Sequence, residues 1–215
     1  MTDIAEIRLG DLADELAISR GFPTQRATPD DEVRVMSIAA LRSESPPKLF
    51  ADPDDIEDLG LELAQPGDVL VAIEGGTVGE TMVVPDSLDE FVPSQQVATL
   101  RVTDSATLDP WFLGAWFATG SAREQIRRLA RGAGIQRVPI HDLASLTVRL
   151  PPLADQRKIG RRFLAFEDAI QAHRALIACL QDLRDLDLVV AFAGGRTHDI
   201  GDTNGSAREA VGHGS

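Results

Sequence analysis

The chain has 215 residues, enough for one domain of ordinary size plus an extension, and its 43% apolar content suffices for a core. A single cysteine, Cys179, excludes an internal disulfide and any multi-cysteine metal site, and no apolar run approaches the ~20 residues of a membrane span. The net charge of −13 is unevenly spread: residues 1–122 carry 7 Lys+Arg against 23 Asp+Glu, residues 123–162 carry 10 against 3, and residues 163–215 carry 4 against 8.

That pattern is one basic block inside an acidic chain. Nine of its ten cations are Arg, the planar donor suited to phosphate and to guanine. With no cationic leader and no membrane segment, a soluble cytoplasmic protein is expected. Cys179 itself reads as a small core residue.

Residues 2–20 read as a short helical or irregular lead-in, with Ile7, Leu9, Leu12, Leu16 and Ile18 as its apolar positions. Residues 32–38 suit a strand. Residues 43–58, rich in Pro and acids, read as a surface loop. Pro66-Gly67-Asp68 is a turn leading into the apolar strand Val69–Ile73. A glycine-rich loop over 74–80 follows, then a returning strand over 81–84. Gln96–Val102 reads as a third strand, entered from Pro93-Ser94-Gln95.

Asp109-Pro110 has the form of a helix start, an N-cap followed by Pro at the first helical position. Trp111, Phe112, Ala115 and Trp116 give that helix its apolar face. Ser121-Ala122-Arg123-Glu124 has the spacing of a capping box and predicts a second helix, ending at Gly132-Ala133-Gly134. Spacings of four place Arg123, Arg127 and Arg131 on one stripe of it, with Arg128 beside them. Residues 146–150 read as a closing strand that Pro151-Pro152 terminates.

From Leu153 the sequence predicts one helix of roughly 40 residues, far beyond the ~8–20 of a globular helix. Ile159, Phe163, Phe166, Ile170, His173, Ile177 and Leu180 alternate spacings of four and three, an a/d seam. Leu183, Leu186 and Val190 continue it after a three-residue phase shift. Gly194-Gly195 ends the helix, and residues 194–215 read as a disordered tail. The expected organisation is therefore a globule over 1–150, a partner-seeking helix over 151–193, and the tail.

Several constellations point away from catalysis. Gly75-Gly76-Thr77-Val78-Gly79 lacks the Gly-Lys-Ser/Thr ending of a P-loop, and a strand follows it, so a tight turn is the better reading. His141, His173, His198 and His213 show no metal-ligand spacing. No nucleophile, base or metal cluster stands out. The Arg stripe admits two readings. Either it meets phosphate or an acidic protein face, or it pairs with the chain's own acids.

The order of motifs resembles the specificity subunit of type I restriction-modification enzymes. The residues that carry the resemblance are Leu9-Gly10-Asp11-Leu12, Gly67-Asp68-Val69-Leu70-Val71, Gly76-Thr77-Val78-Gly79, Pro93-Ser94-Gln95-Gln96, Gly132-Ala133-Gly134-Ile135-Gln136 and Leu150-Pro151-Pro152-Leu153-Ala154-Asp155-Gln156. The last is like the family's Leu-Pro-Pro-Leu-x-Glu-Gln, with Asp in place of Glu. The resemblance implies an α+β architecture, a mixed target recognition domain followed by one long coiled-coil helix. It implies no catalytic activity and no cofactor in this chain. The partners it implies are double-stranded DNA, adenine methyltransferase subunits that use S-adenosylmethionine, and a motor-nuclease subunit in the complete enzyme.

Family members carry two such units, whose helices pair antiparallel. This chain has one, so a half-length form is expected that homodimerises through Ile159, Phe163, Phe166, Ile170, His173, Ile177, Leu180 and Leu183, or pairs with another half-length subunit. Thr77, Gln95, Gln96, Arg123, Arg127, Arg128, Arg131, Gln136 and Arg137 are the expected DNA-facing residues. The acidic balance keeps a rival open, a protein-interaction module of a multi-subunit defence complex that reads no bases.

Overall fold

The elements, in chain order, are β1 (Ala5–Arg8), β2 (Leu16–Arg20), β3 (Val33–Met36), α1 (Ile38–Ser43), β4 (Phe50–Ala51), α2 (Pro53–Asp58), β5 (Val69–Ala72), β6 (Thr81–Val83), β7 (Val92–Pro93), β8 (Val97–Val102), α3 (Pro110–Phe117), α4 (Gly120–Leu129), β9 (Thr147–Leu150) and α5 (Leu153–Gly194). Turns of 3-10 helix cover Leu9–Leu12 and Ile140–Ser145. This computed structural model describes residues 5–43 and 47–194, so the tail expected beyond Gly194 lies outside the described residues. Contacts divide the chain into two units, residues 1–166 and 167–215. The architecture is α+β.

The central sheet has the order β2-β8-β5-β6, antiparallel throughout. Side chains alternate across a strand, so β5 sends Val69, Val71 and Ile73 to one face and Leu70 and Ala72 to the other. The first set joins the main core with Leu100, Phe112, Leu113, Phe117 and Ile126. The second packs with Met36, Ile38, Val84, Phe91 and Val97. Both faces are covered, which is why this strand reads as an unbroken apolar run. A smaller core of Phe22, Val35, Ala51, Ile56 and Val92 sits at the sheet of order β4-β3-β7.

The N-terminal stretch is not a helical lead-in. β1 pairs antiparallel with β9, Ile7 opposite Val148, and β2 pairs with β8, Leu16 opposite Val102. The 3-10 turn between them buries Leu9 and Leu12, and this strand–turn–strand path produces the three- and four-residue spacings that mimic a helix. Residues 43–58 are not all loop either. β4 pairs with β3, and Asp52 caps α2 by accepting from the Asp54 amide, with Pro53 at its start. The strand expected over 32–38 stops at Met36, and Ile38 opens α1.

The Asp109 cap is as expected: its carboxylate accepts from the Phe112 amide at 2.8 Å. The capping box at Ser121 is not used. Thr119 is the N-cap of α4, accepting from the Ala122 amide, and Glu124 instead pairs with Arg128 at 3.1 Å. α4 ends at Leu129, before the glycines.

The Pro-Pro-Leu-Ala-Asp-Gln stretch has a clear structural role. Gln156, 2% exposed, accepts from the Asp109 amide and donates to the Thr107 and Pro151 carbonyls at 3.0, 3.2 and 2.9 Å. One turn on, Gly160 lies so close to α3 that a Cβ there would stand 2.4 Å from the Asp109 carboxylate. The amide clamp and the missing side chain seat the first turns of α5 on the start of α3. The first unit therefore extends to Phe166, past the Leu150 end of the last strand.

In the second unit α5 keeps Ile170, Ile177, Leu180, Leu183, Leu186 and Val190 exposed. Cys179 is exposed too, not a core residue. Among the described residues no helix is long and apolar enough to cross a membrane.

Candidate nucleic-acid interface

One rim of the central sheet gathers the glycine loops. The Gln95 amide donates to the Phe22 carbonyl, the Ile73 amide to the Gln96 carbonyl, the Val138 amide to the Ile73 carbonyl, and the Gly75 amide to the Gln136 carbonyl, all between 2.7 and 2.9 Å. Arg131 and Arg137 close the row by exchanging both backbone bonds at 2.9 Å. This ladder brings residues 95–96, 74–77 and 131–137 side by side although up to 63 residues separate them, as in the Arg137–Glu74 contact.

Helix α4 lies against the same rim. Ala122 and Ile126 are buried, and Gln125 fixes the helix to β9 by donating to the Thr147 carbonyl and accepting from its amide. Gly79, at φ +85°, faces the Arg123 carbonyl and the Ile126 side chain at 3.7 Å from where a Cβ would stand. A cleft of about 170 Å3 opens there, lined by Arg42, Val78, Gly79, Glu80, Arg123 and Arg127. Arg42 is held by Glu80 at 2.7 Å and by the Thr81 carbonyl at 2.6 Å. The Arg123 and Arg127 side chains have no hydrogen bond or ion pair among the described residues. Three guanidinium groups thus face one carboxylate, an excess of positive charge that suits an anion.

The two readings of the Arg stripe divide residue by residue. Arg128 pairs with Glu124, Arg131 with Asp142 at 2.7 Å, and Arg137 with Glu74 at 2.6 Å. The Glu74 hydrogen bond and charge hold the Arg137 guanidinium above its ordinary value. Arg123 and Arg127 are the members left without an acid. Arg131 is not on the helical stripe, because α4 has ended before it and its backbone bridges to Arg137.

Thr77 sits half-buried in the glycine loop, and Gln136 is exposed. Gln95 is half-buried and donates to the Thr24 hydroxyl at 3.2 Å. Gln96 is exposed at the edge of a cavity of about 610 Å3 that Val35, Met36, Pro47 and Leu49 help to wall. The buried Ser94 hydroxyl, on the same cavity, has no hydrogen-bond partner among the described residues.

Arg42 and Ile135 of this region, and Gln156 at the root of α5, escape sequence reasoning as site residues. Arg42 comes from a distant helix, and nothing local marks it. Gln156 stands inside a visible motif, but its role as a clamp depends on contacts some 47 residues away. Ile135 carried a signal, a lone large apolar residue among glycines and arginines. No group of three or more His, Cys, Asp or Glu among the described residues is placed to hold a metal ion.

Solved structures share this fold. The type-I restriction-modification system S subunit from M. genitalium is similar at 19% identity and a TM-score of 0.60, over 86% of this chain and 45% of that one. A structure described as the basis of complex assembly and conformational transition of the type I R-M system is similar at 20% identity and a TM-score of 0.56, over 88% and 45%. The HsdS subunit from Thermoanaerobacter tengcongensis is similar at 20% identity and a TM-score of 0.52, over 80% and 39%. The chain thus spans less than half the length of each. No curated protein sequence matches. The family model for the type I restriction modification DNA specificity domain matches residues 2–181, and the chain belongs to that family.

Proposed function

We propose that this chain is the DNA sequence-specificity component of an adenine methyltransferase complex. It has no catalytic role of its own, reads DNA with its sheet rim, and pairs through α5 with a second copy. Two rims in one two-fold particle read a two-part palindromic site with an unread gap, because the symmetry of the protein imposes symmetry on the target. The methyltransferase subunits it recruits bring S-adenosylmethionine. A motor-nuclease subunit joins them in a complete restriction enzyme.

The observation that carries the DNA reading is the gathering of the glycine loops beside unpaired Arg123 and Arg127. Phosphate contacts supply most of the affinity of such a reader, and the paired arginines of the rim contribute less to it. Thr77, Gln95, Gln96 and Gln136 stand nearer to base-reading roles, since Gln pairs with adenine edges. The exposed seam of α5 supports self-association.

Gel shifts against random duplex pools, with and without a co-expressed methyltransferase, test the reading. Retained duplex supports it. No shift in either arm leaves the protein-interaction module, which the net charge of −13 favours. In the same assay Arg123→Ala/Arg127→Ala lowers affinity about tenfold and reduces the slope of log affinity against log salt by about 2. An unchanged slope removes these residues from the interface.

A further inference from the structure

We infer that Ile135 is a base-contacting specificity residue of this chain, meeting the 5-methyl group of a thymine in the major groove. The inference rests on the DNA reading proposed above and adds what one residue of the rim recognises.

Ile135 is 71% exposed. Outside α5, the other exposed large apolar residues among the described residues, Leu49 and Leu59, are 36% and 37% exposed. The exposure is not that of a loose loop. Both backbone bonds between Arg131 and Arg137 close the five residues 132–136 at their base. Gly132 has φ +112°, and a Cβ on it would stand 2.5 Å from the Ile135 carbonyl, so only glycine allows so tight a closure. The Gln136 carbonyl is held by the Gly75 amide at 2.9 Å. A large apolar side chain is therefore presented to solvent by a loop whose ordering cost is already met.

The surroundings select the partner. Arg131 and Arg137, at the foot of the loop, are neutralised by Asp142 and Glu74. The foot is thus poorly suited to phosphate, while Arg123 and Arg127 on the adjoining helix remain available for it. On this inference the phosphates lie along that helix and the loop tip enters the groove. A short closed loop can enter the major groove, where thymine alone offers a methyl group, and Gln136 next to Ile135 can bond the neighbouring base pair.

The test uses the full chain co-purified with a methyltransferase and the duplexes that this complex enriches from a random pool. Thymines of the enriched site are replaced by uracil one at a time, which removes only the methyl group. One replacement should weaken wild-type binding about fourfold, the worth of one buried methyl group. The same replacement should cost Ile135→Ala nothing, and Ile135→Val should keep most of the effect. Enrichment with the same uracil penalties in wild type and Ile135→Ala overturns this inference and leaves the DNA reading intact. No enrichment by the wild type overturns both. An Ile135→Ala chain that binds DNA normally but loses a co-expressed methyltransferase makes the residue a protein contact, which also overturns it.

Discussion

Ile177→Asp should convert the proposed pair of chains in solution into single chains. Ile177 lies on the seam with Ile170, Leu180 and Leu183, and all four are exposed in the single chain. Each such side chain is worth about 2 kcal/mol when a partner covers it. A carboxylate at the middle of that seam loses one of these contributions and adds an unpaired charge to an apolar interface, at a cost of several kcal/mol. The substitution falls in the second unit, so thermal unfolding of the first unit should be unchanged. Light scattering after size-exclusion chromatography should show the mass halved, and DNA affinity should fall by at least ~100-fold because each particle then holds one reader. A variant that keeps the wild-type mass removes Ile177 from the interface.

Arg101→Ala should cost about 3 kcal/mol of folding stability. Arg101 bonds both oxygens of Asp68, at 2.9 and 2.7 Å, and also donates to Glu62 and to the Leu63 carbonyl. These contacts tie the segment before β5 to β8. Asp68 is 2% exposed, so its charge survives burial only because the guanidinium lies against it. Burial works against both partners. It pushes the Asp68 carboxyl up to about 6, with the Gln65 amide pulling the other way, and it lowers the Arg101 guanidinium. Removing Arg101 strands the carboxylate.

The pH dependence follows from the sign of that shift. The folded carboxyl titrates above the ~3.9 of an unfolded Asp, so the folded state binds the extra proton. The contribution of this site is fully present below the unfolded value and is lost as pH rises through about 6. Loss of Arg101 steepens that fall, so the Arg101→Ala deficit should be larger at pH 8 than at pH 5. Urea denaturation at the two values measures it. Equal deficits would mean that Asp68 is not the group left unpaired.

Elements bounded by strong local chemistry were legible in the sequence. Asp109-Pro110 starts α3, Pro151-Pro152 separates β9 from α5, and the glycine loop joins β5 to β6. The N-terminal strands were not legible, because β1 is defined by its partner β9 some 140 residues on and a 3-10 turn restores helical spacing between short strands. The capping box is not used because the helix starts one residue before Ser121, with Thr119 as the N-cap that accepts from the Ala122 amide. At the rim, the residue types were visible but not their pairing. Whether an Arg is spent on an acid depends on Glu74 and Asp142, which only the fold brings to Arg137 and Arg131.

On the proposed function the chain reads DNA as a two-fold pair. The most direct measurement is selection of random duplexes by the full chain co-purified with a methyltransferase, followed by sequencing of what is retained. The expected result is one enriched site made of two inverted half-sites at a fixed separation. Retained duplexes with no common sequence, or with a single half-site, would contradict it.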